Sequence, residues 1–115
     1  MSSETSIYVG TSGWSYDHWV GLFYPEEMKK NEWFPFYAKH FNTVELNMSF
    51  YRYPFQNMLK GWKNKMPGDF KMTFKANRQI SHRKKFIDVT EPMEKFYNMV
   101  SLMDKNAGCI LFQTP

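Results

Sequence analysis

The chain has 115 residues, 43% of them hydrophobic, a length and balance that suit one domain with a real core and exclude a fibrous or disordered segment. Fifteen Lys and Arg against eleven Asp and Glu give a formal charge of +4, which favours anionic partners only where the cations cluster. The polar start at residues 2–6, the lack of any run near ~18 apolar residues and the single Cys109 argue against a signal peptide, a membrane span and an internal disulfide, so a reducing, cytoplasmic setting without a membrane partner is expected.

The run Ile7-Tyr8-Val9-Gly10-Thr11 is β-branched and aromatic and ends at Ser12-Gly13, which predicts a first strand and a turn. Asn31 then stands where it could cap a helix, with Glu32 at the positive end and Trp33, Phe34, Tyr37 and Phe41 at three-to-four spacing. Residues 43–47 alternate strictly: Val44 and Leu46 face one way, Thr43, Glu45 and Asn47 the other. Pro54 is placed to open a second helix carrying Phe55, Met58, Leu59, Trp62 and Met66, stopped by Pro67-Gly68. Phe70, Met72 and Phe74 alternate with Lys71, Thr73 and Lys75 as a third strand. After a mixed loop, Thr90 is the predicted cap of a third helix with the stripe Met93, Phe96, Tyr97, Val100 and Met103, ended by Asn106 and Gly108. Cys109-Ile110-Leu111-Phe112 is the fourth strand, with Cys109 expected as a buried thiol.

Strand and helix alternating in this way predict an α/β fold of parallel βαβ units. Four strands form either an open layer or the first half of a closed barrel, which needs eight strands and ~250 residues. In the barrel case the outer strands present unpaired backbone, so a second half-barrel chain or a second copy is the expected partner. The whole chain, residues 1–115, reads as one domain.

In a parallel α/β fold the ligand sits at the C-terminal strand ends. Ser12, Gly13 and Trp14 follow the first strand, Glu45 and Asn47 lie on the second, Lys75 and Asn77 on the third, and Gln113 and Thr114 after the fourth. Glu45 and Lys75, on neighbouring inward faces, suit an acid or base with a charge stabiliser, or equally an inert ion pair. The loop 78–85 holds four cations, Arg78, Arg83, Lys84 and Lys85, and could clamp a phosphate with His82 as donor or general acid; a solvated charge run is its plain alternative. Trp14, Tyr16, Trp19, Phe23, Tyr24 and Tyr51 either stack on a ligand or cap the barrel mouth. His18, His40 and His82 are scattered without ligand spacing, so no metal is expected, and Gly10-Thr11-Ser12-Gly13 lacks the third glycine of a dinucleotide loop, so no cofactor is assigned.

Taken together, the runs 10–16, Trp19 with Phe23-Tyr24-Pro25, 40–47, 50–54, Phe74-Lys75-Ala76, Ile80-Ser81-His82 and 111–115 resemble, in order and spacing, the YecE-like family, domain of unknown function 72. The resemblance runs from Ile7 to the last residue. It implies a TIM-like barrel of about 250 residues with a polar pocket at the strand C-termini. It supplies no reaction, so what carries over is the pocket: Trp14, Tyr16, Trp19, Glu45, Asn47, Tyr51, Lys75, His82 and Gln113 fall on matching positions. Met48-Ser49 stands where the family more often has Ser-Thr, and Pro115 stands about midway through the family's length, so a truncated, half-barrel domain is expected.

The resulting expectation is a polar pocket for a small anionic or nucleotide-like ligand. Glu45, Lys75 and His82 are its chemical groups, and Trp14, Tyr16, Trp19, Asn47, Tyr51, Arg83 and Gln113 its binding groups. The rival is a non-catalytic module whose basic loop engages a nucleic acid or a protein.

Overall fold

Alternation decides the two central strands. In a computed structural model that describes residues 6–115, β2 (Thr43–Leu46) and β3 (Lys71–Lys75) bury Val44, Leu46, Met72 and Phe74 on one face and leave Thr43, Glu45, Lys71, Thr73 and Lys75 half-exposed on the other. The polar start at residues 1–5 lies outside the described residues. Two outer strands, β1 (Gly10–Ser12) and β4 (Ala107–Leu111), complete a four-stranded sheet of order β1-β2-β3-β4 in which every neighbouring pair is parallel.

Helices link the strands and cover the apolar face: α1 (Trp33–His40), a short α2 (Met48–Tyr51), α3 (Gln56–Asn64) and α4 (Thr90–Ser101). Phe34 and Tyr37 from α1, Leu59 from α3, and Phe96, Met99 and Val100 from α4 pack with Val44, Leu46, Phe70, Met72 and Phe74 in a single core. No helix among the described residues is long and apolar enough to cross a membrane.

Tyr37 does more than fill this core. Its hydroxyl accepts the Thr11 N–H at 2.7 Å and lies 3.1 Å from the Thr43 carbonyl, to which it donates, so a phenol bridges β1 to β2. At Gly10 a Cβ would fall 1.9 Å from that same Thr43 oxygen, so this close approach admits glycine alone.

Several expectations are corrected. Residues 7–9 are exposed and outside the sheet, because the Asn42 side chain takes the Val9 N–H and the Ile7 carbonyl, both at 2.8 Å, in place of strand rungs. Asn31 does not cap α1: a 3-10 turn, Lys30–Glu32, leads into the helix, and the Glu32 carboxylate reaches back to the Lys29 N–H. The strand after residue 43 stops at Leu46, where Asn47 turns into α2, an element without its own hydrophobic period. Helix α3 starts at Gln56, with Phe55 72% exposed ahead of it, and Thr90 is the first residue of α4 with no side-chain cap. In α4, Tyr97 faces solvent and Met99 takes the buried place. Asn106 is buried rather than a helix stop: its amide donates to the carbonyls of Pro67 and Phe70 at 3.1 and 2.8 Å. Cys109 is exposed, because the β3–β4 register shifts between Met72 and Phe74 and places Gly108 and Cys109, on the edge strand β4, in an irregular stretch beside Thr73 of β3.

Candidate functional site

The C-terminal strand ends are assembled by short polar links. Gly13, at φ +83°, turns the chain out of β1 and donates its N–H to the Glu45 carbonyl at 2.9 Å. A side chain there would also meet the Tyr16 hydroxyl, which donates to the Ser12 carbonyl. The Asn47 amide donates to the Ser12 hydroxyl, tying the ends of β1 and β2.

Next door, Ser49 is fully buried and donates to the Lys75 carbonyl at 2.6 Å, while Asn77 donates to the Ser49 carbonyl at 3.0 Å and accepts the Gln79 N–H at 3.0 Å. Asn77 is therefore a brace between the β2 and β3 loops rather than a group free for a ligand. These bonds fix α2 against the end of β3, and that position puts Phe50 at the centre of the site. The Lys75 ammonium lies 4.4 Å from the Phe50 ring centroid, and the His82 ring meets the same phenyl edge-on at 5.0 Å. His82 Nδ1 lies 2.8 Å from the Ser81 hydroxyl, and Arg78 lies over the Tyr51 ring at 5.5 Å. Sequence reasoning missed Phe50 as the hub, although it stands in the 50–54 run; an isolated Phe carries no polar signal.

Glu45 and Lys75 share the polar face but form no ion pair. The register sets Glu45 between Ser12 and Thr73, and Lys75 two residues further along β3. Among the described residues one ion pair forms, the exposed Lys30–Asp17 contact at 3.3 Å, so the inert-pair alternative for Glu45 and Lys75 does not hold. The aromatic group divides. Trp14 is buried against Phe34 and Trp62, and Trp19 packs with Tyr16, Phe23, Tyr24 and Tyr37, so both serve the core first. Tyr51 is exposed, as are Arg83 at the end of the turn Gln79–Arg83 and Gln113 beyond β4.

Trp14, Tyr16, Leu46, Asn47, Met48 and Trp62 line an open pocket of about 370 Å³ at this end of the sheet. A larger hollow of about 500 Å³, lined by Ile7, Val9, His40, Asn42 and Asp69 among others, lies by the start of β3 and the end of α1. Its place at the N-terminal strand ends, away from the loops that build sites in parallel α/β folds, makes the smaller pocket the stronger candidate.

Buried phenols hold their protons. Burial, then the neighbouring Tyr37, raises Tyr24 far above the usual tyrosine range; burial likewise raises Tyr37, against the lowering effect of its bonds to Thr11, and Tyr53.

The family described as protein of unknown function DUF72 matches residues 8–115. The chain belongs to the DUF72 family. The UPF0759 protein YecE of Escherichia coli K12, and that of Escherichia coli O157:H7, are each 30% identical to it over 111 residues, covering 95% of this chain and 38% of theirs. The crystal structure of a DUF72 family protein from Thermotoga maritima superposes with a TM-score of 0.80 at 33% identity, over 94% of this chain and 44% of that one. This DUF72 chain thus spans about two fifths of the length of these relatives, and its four parallel strands with their helices are a partial, half-barrel form of a TIM-like fold.

Proposed function

We propose that this DUF72 chain supplies one wall of a pocket for a small anionic ligand, a phosphate- or carboxylate-bearing molecule, nucleotide-like ones included. The observation that carries the reading is the Lys75 ammonium. It stands at the C-terminal end of β3 with no carboxylate partner among the described residues, and lies over the phenyl ring that also receives His82. A cation held against an aromatic ring leaves its N–H donors to a ligand oxygen. Arg78, stacked on Tyr51, adds donors at the same end of the sheet, and Asn47 lines the pocket formed there with Trp14 and Tyr16. Glu45, lower on the polar face, is the available base, and Arg83 and Gln113 are outlying contacts.

Further strands beside β1 and β4, from a second half-barrel or a second copy, would enclose the pocket. Calorimetric titration with inorganic phosphate tests the reading. Lys75→Met is expected to weaken binding by roughly 10-fold or more, the scale of one lost charged hydrogen bond. Unchanged affinity in that variant, or no binding to the parent chain, removes the proposal's basis.

A further inference from the structure

Ser81 and His82 stand 2.8 Å apart, hydroxyl to Nδ1, at the spacing of a nucleophile and its base. Ser81 is 1% exposed, however, so its hydroxyl cannot reach a substrate. What the contact does decide is where the imidazole proton sits. A buried hydroxyl must place its own hydrogen on an acceptor, and among the described residues His82 Nδ1 is the partner that the Ser81 hydroxyl has. Were Nδ1 to carry the proton instead, the Ser81 hydrogen would be buried without an acceptor, which a buried hydroxyl avoids. Nδ1 is therefore the acceptor, and the neutral ring keeps its proton on Nε2. Edge-on packing against Phe50 fixes the ring's plane as well.

We propose that Ser81 locks His82 in the Nε2–H tautomer, making His82 a fixed hydrogen-bond donor that acts with Lys75 on a ligand oxygen able only to accept. This deepens the pocket reading above and rests on it for the ligand. It narrows the ligand to an oxyanion, a phosphate or a carboxylate, whose unprotonated oxygens face Lys75, Arg78 and a locked His82, because these groups offer donors only. It also removes His82 as a general base: its one basic nitrogen is taken by Ser81. Ser81 is thus a positioning residue.

His40 provides an internal contrast, since its Nδ1 lies 2.9 Å from the Phe36 carbonyl, which can only accept, so there Nδ1 bears the proton. Long-range proton–nitrogen NMR of the nitrogen-15-labelled chain at pH 8.5, above the ordinary imidazole range, reads both tautomers directly. The expected result is opposite patterns: Nε2–H for His82 and Nδ1–H for His40. Ser81→Ala is expected to return His82 to a tautomer mixture and to weaken inorganic phosphate binding roughly 2- to 10-fold, the scale of one hydrogen bond. His82→Gln, which keeps a donor, should retain more affinity than His82→Ala. A wild-type His82 protonated on Nδ1 overturns the lock whatever the chain binds. The expected tautomer, with Lys75 and His82 resonances unmoved by phosphate or sulfate, leaves the lock standing but overturns the donor role and the pocket reading together. Undiminished phosphate affinity in Ser81→Ala overturns the link between them.

Discussion

At the scale of single residues, the most consequential side chain is one that no motif marks. Tyr37 lies in the helical stripe Trp33, Phe34, Tyr37 and Phe41, and the period explains why it is buried. It does not explain why a phenol rather than a phenyl is there. The hydroxyl bridges the Thr11 N–H and the Thr43 carbonyl, so Tyr37→Phe leaves both backbone groups without that partner. A loss of about 2 kcal/mol in urea unfolding is expected, in the range for buried polar groups left unpaired. The raised phenols of Tyr24, Tyr37 and Tyr53 also set a direction in pH. Above the ordinary tyrosine range, near pH 10, the unfolded chain gives up protons that the folded chain still holds. The unfolded state then binds fewer protons, and stability must fall as pH rises. Denaturation midpoints should therefore hold steady to about pH 9.5 and drop beyond it, and Tyr24→Phe should make the drop shallower.

At the scale of elements, legibility follows the source of the order. Strands β2 and β3 could be read because half-burial imposes a period of two on residues 43–46 and 71–75, and helix α4 because Phe96 and Val100 recur on one face. The bounds of the first strand, expected over residues 7–11 and found at Gly10–Ser12, and α2 altogether could not, because each is set by contacts distant in sequence. Asn42 ends the sheet contact of residues 7–9 by taking their backbone groups itself. Ser49, bonded to the Lys75 carbonyl, fixes α2 and so places Phe50 beneath Lys75. The candidate site was thus half legible: position along the strands was enough to put Glu45, Asn47, Lys75 and His82 near the strand ends, while the ring that Lys75 and His82 share, and the absence of a Glu45–Lys75 ion pair among the described residues, depended on the fold. Ser49→Ala tests the brace. It should cost about 1–2 kcal/mol in stability, from the lost buried hydrogen bond. Phosphate affinity should fall with it, and unchanged affinity would show that the Phe50 position does not depend on Ser49.

At the scale of the whole molecule, the polar face of the sheet is the unusual feature. Closed barrels fill their interior with bulky branched side chains, yet this face carries Thr43, Glu45, Lys71, Thr73 and Lys75 along its two central strands. Such a face gains little from being covered by apolar groups, because each charge would need a partner. Association through the strand edges is a different matter: among the described residues β1 and β4 each have one neighbour, and Leu111 and Phe112 are about two fifths exposed beside Phe86. The chain is therefore expected to associate at micromolar concentration by its edges. Cys109, exposed on β4, reports on it. Its reaction with a disulfide reagent should be fast in dilute solution and slow as concentration rises, in parallel with a growing sedimentation coefficient. If the edges stay free, reactivity will not depend on concentration and a folded monomer will sediment throughout. If apolar collapse of the face drives association instead, Lys71→Leu with Lys75→Leu will strengthen it; edge pairing predicts that these two changes leave it nearly unaltered.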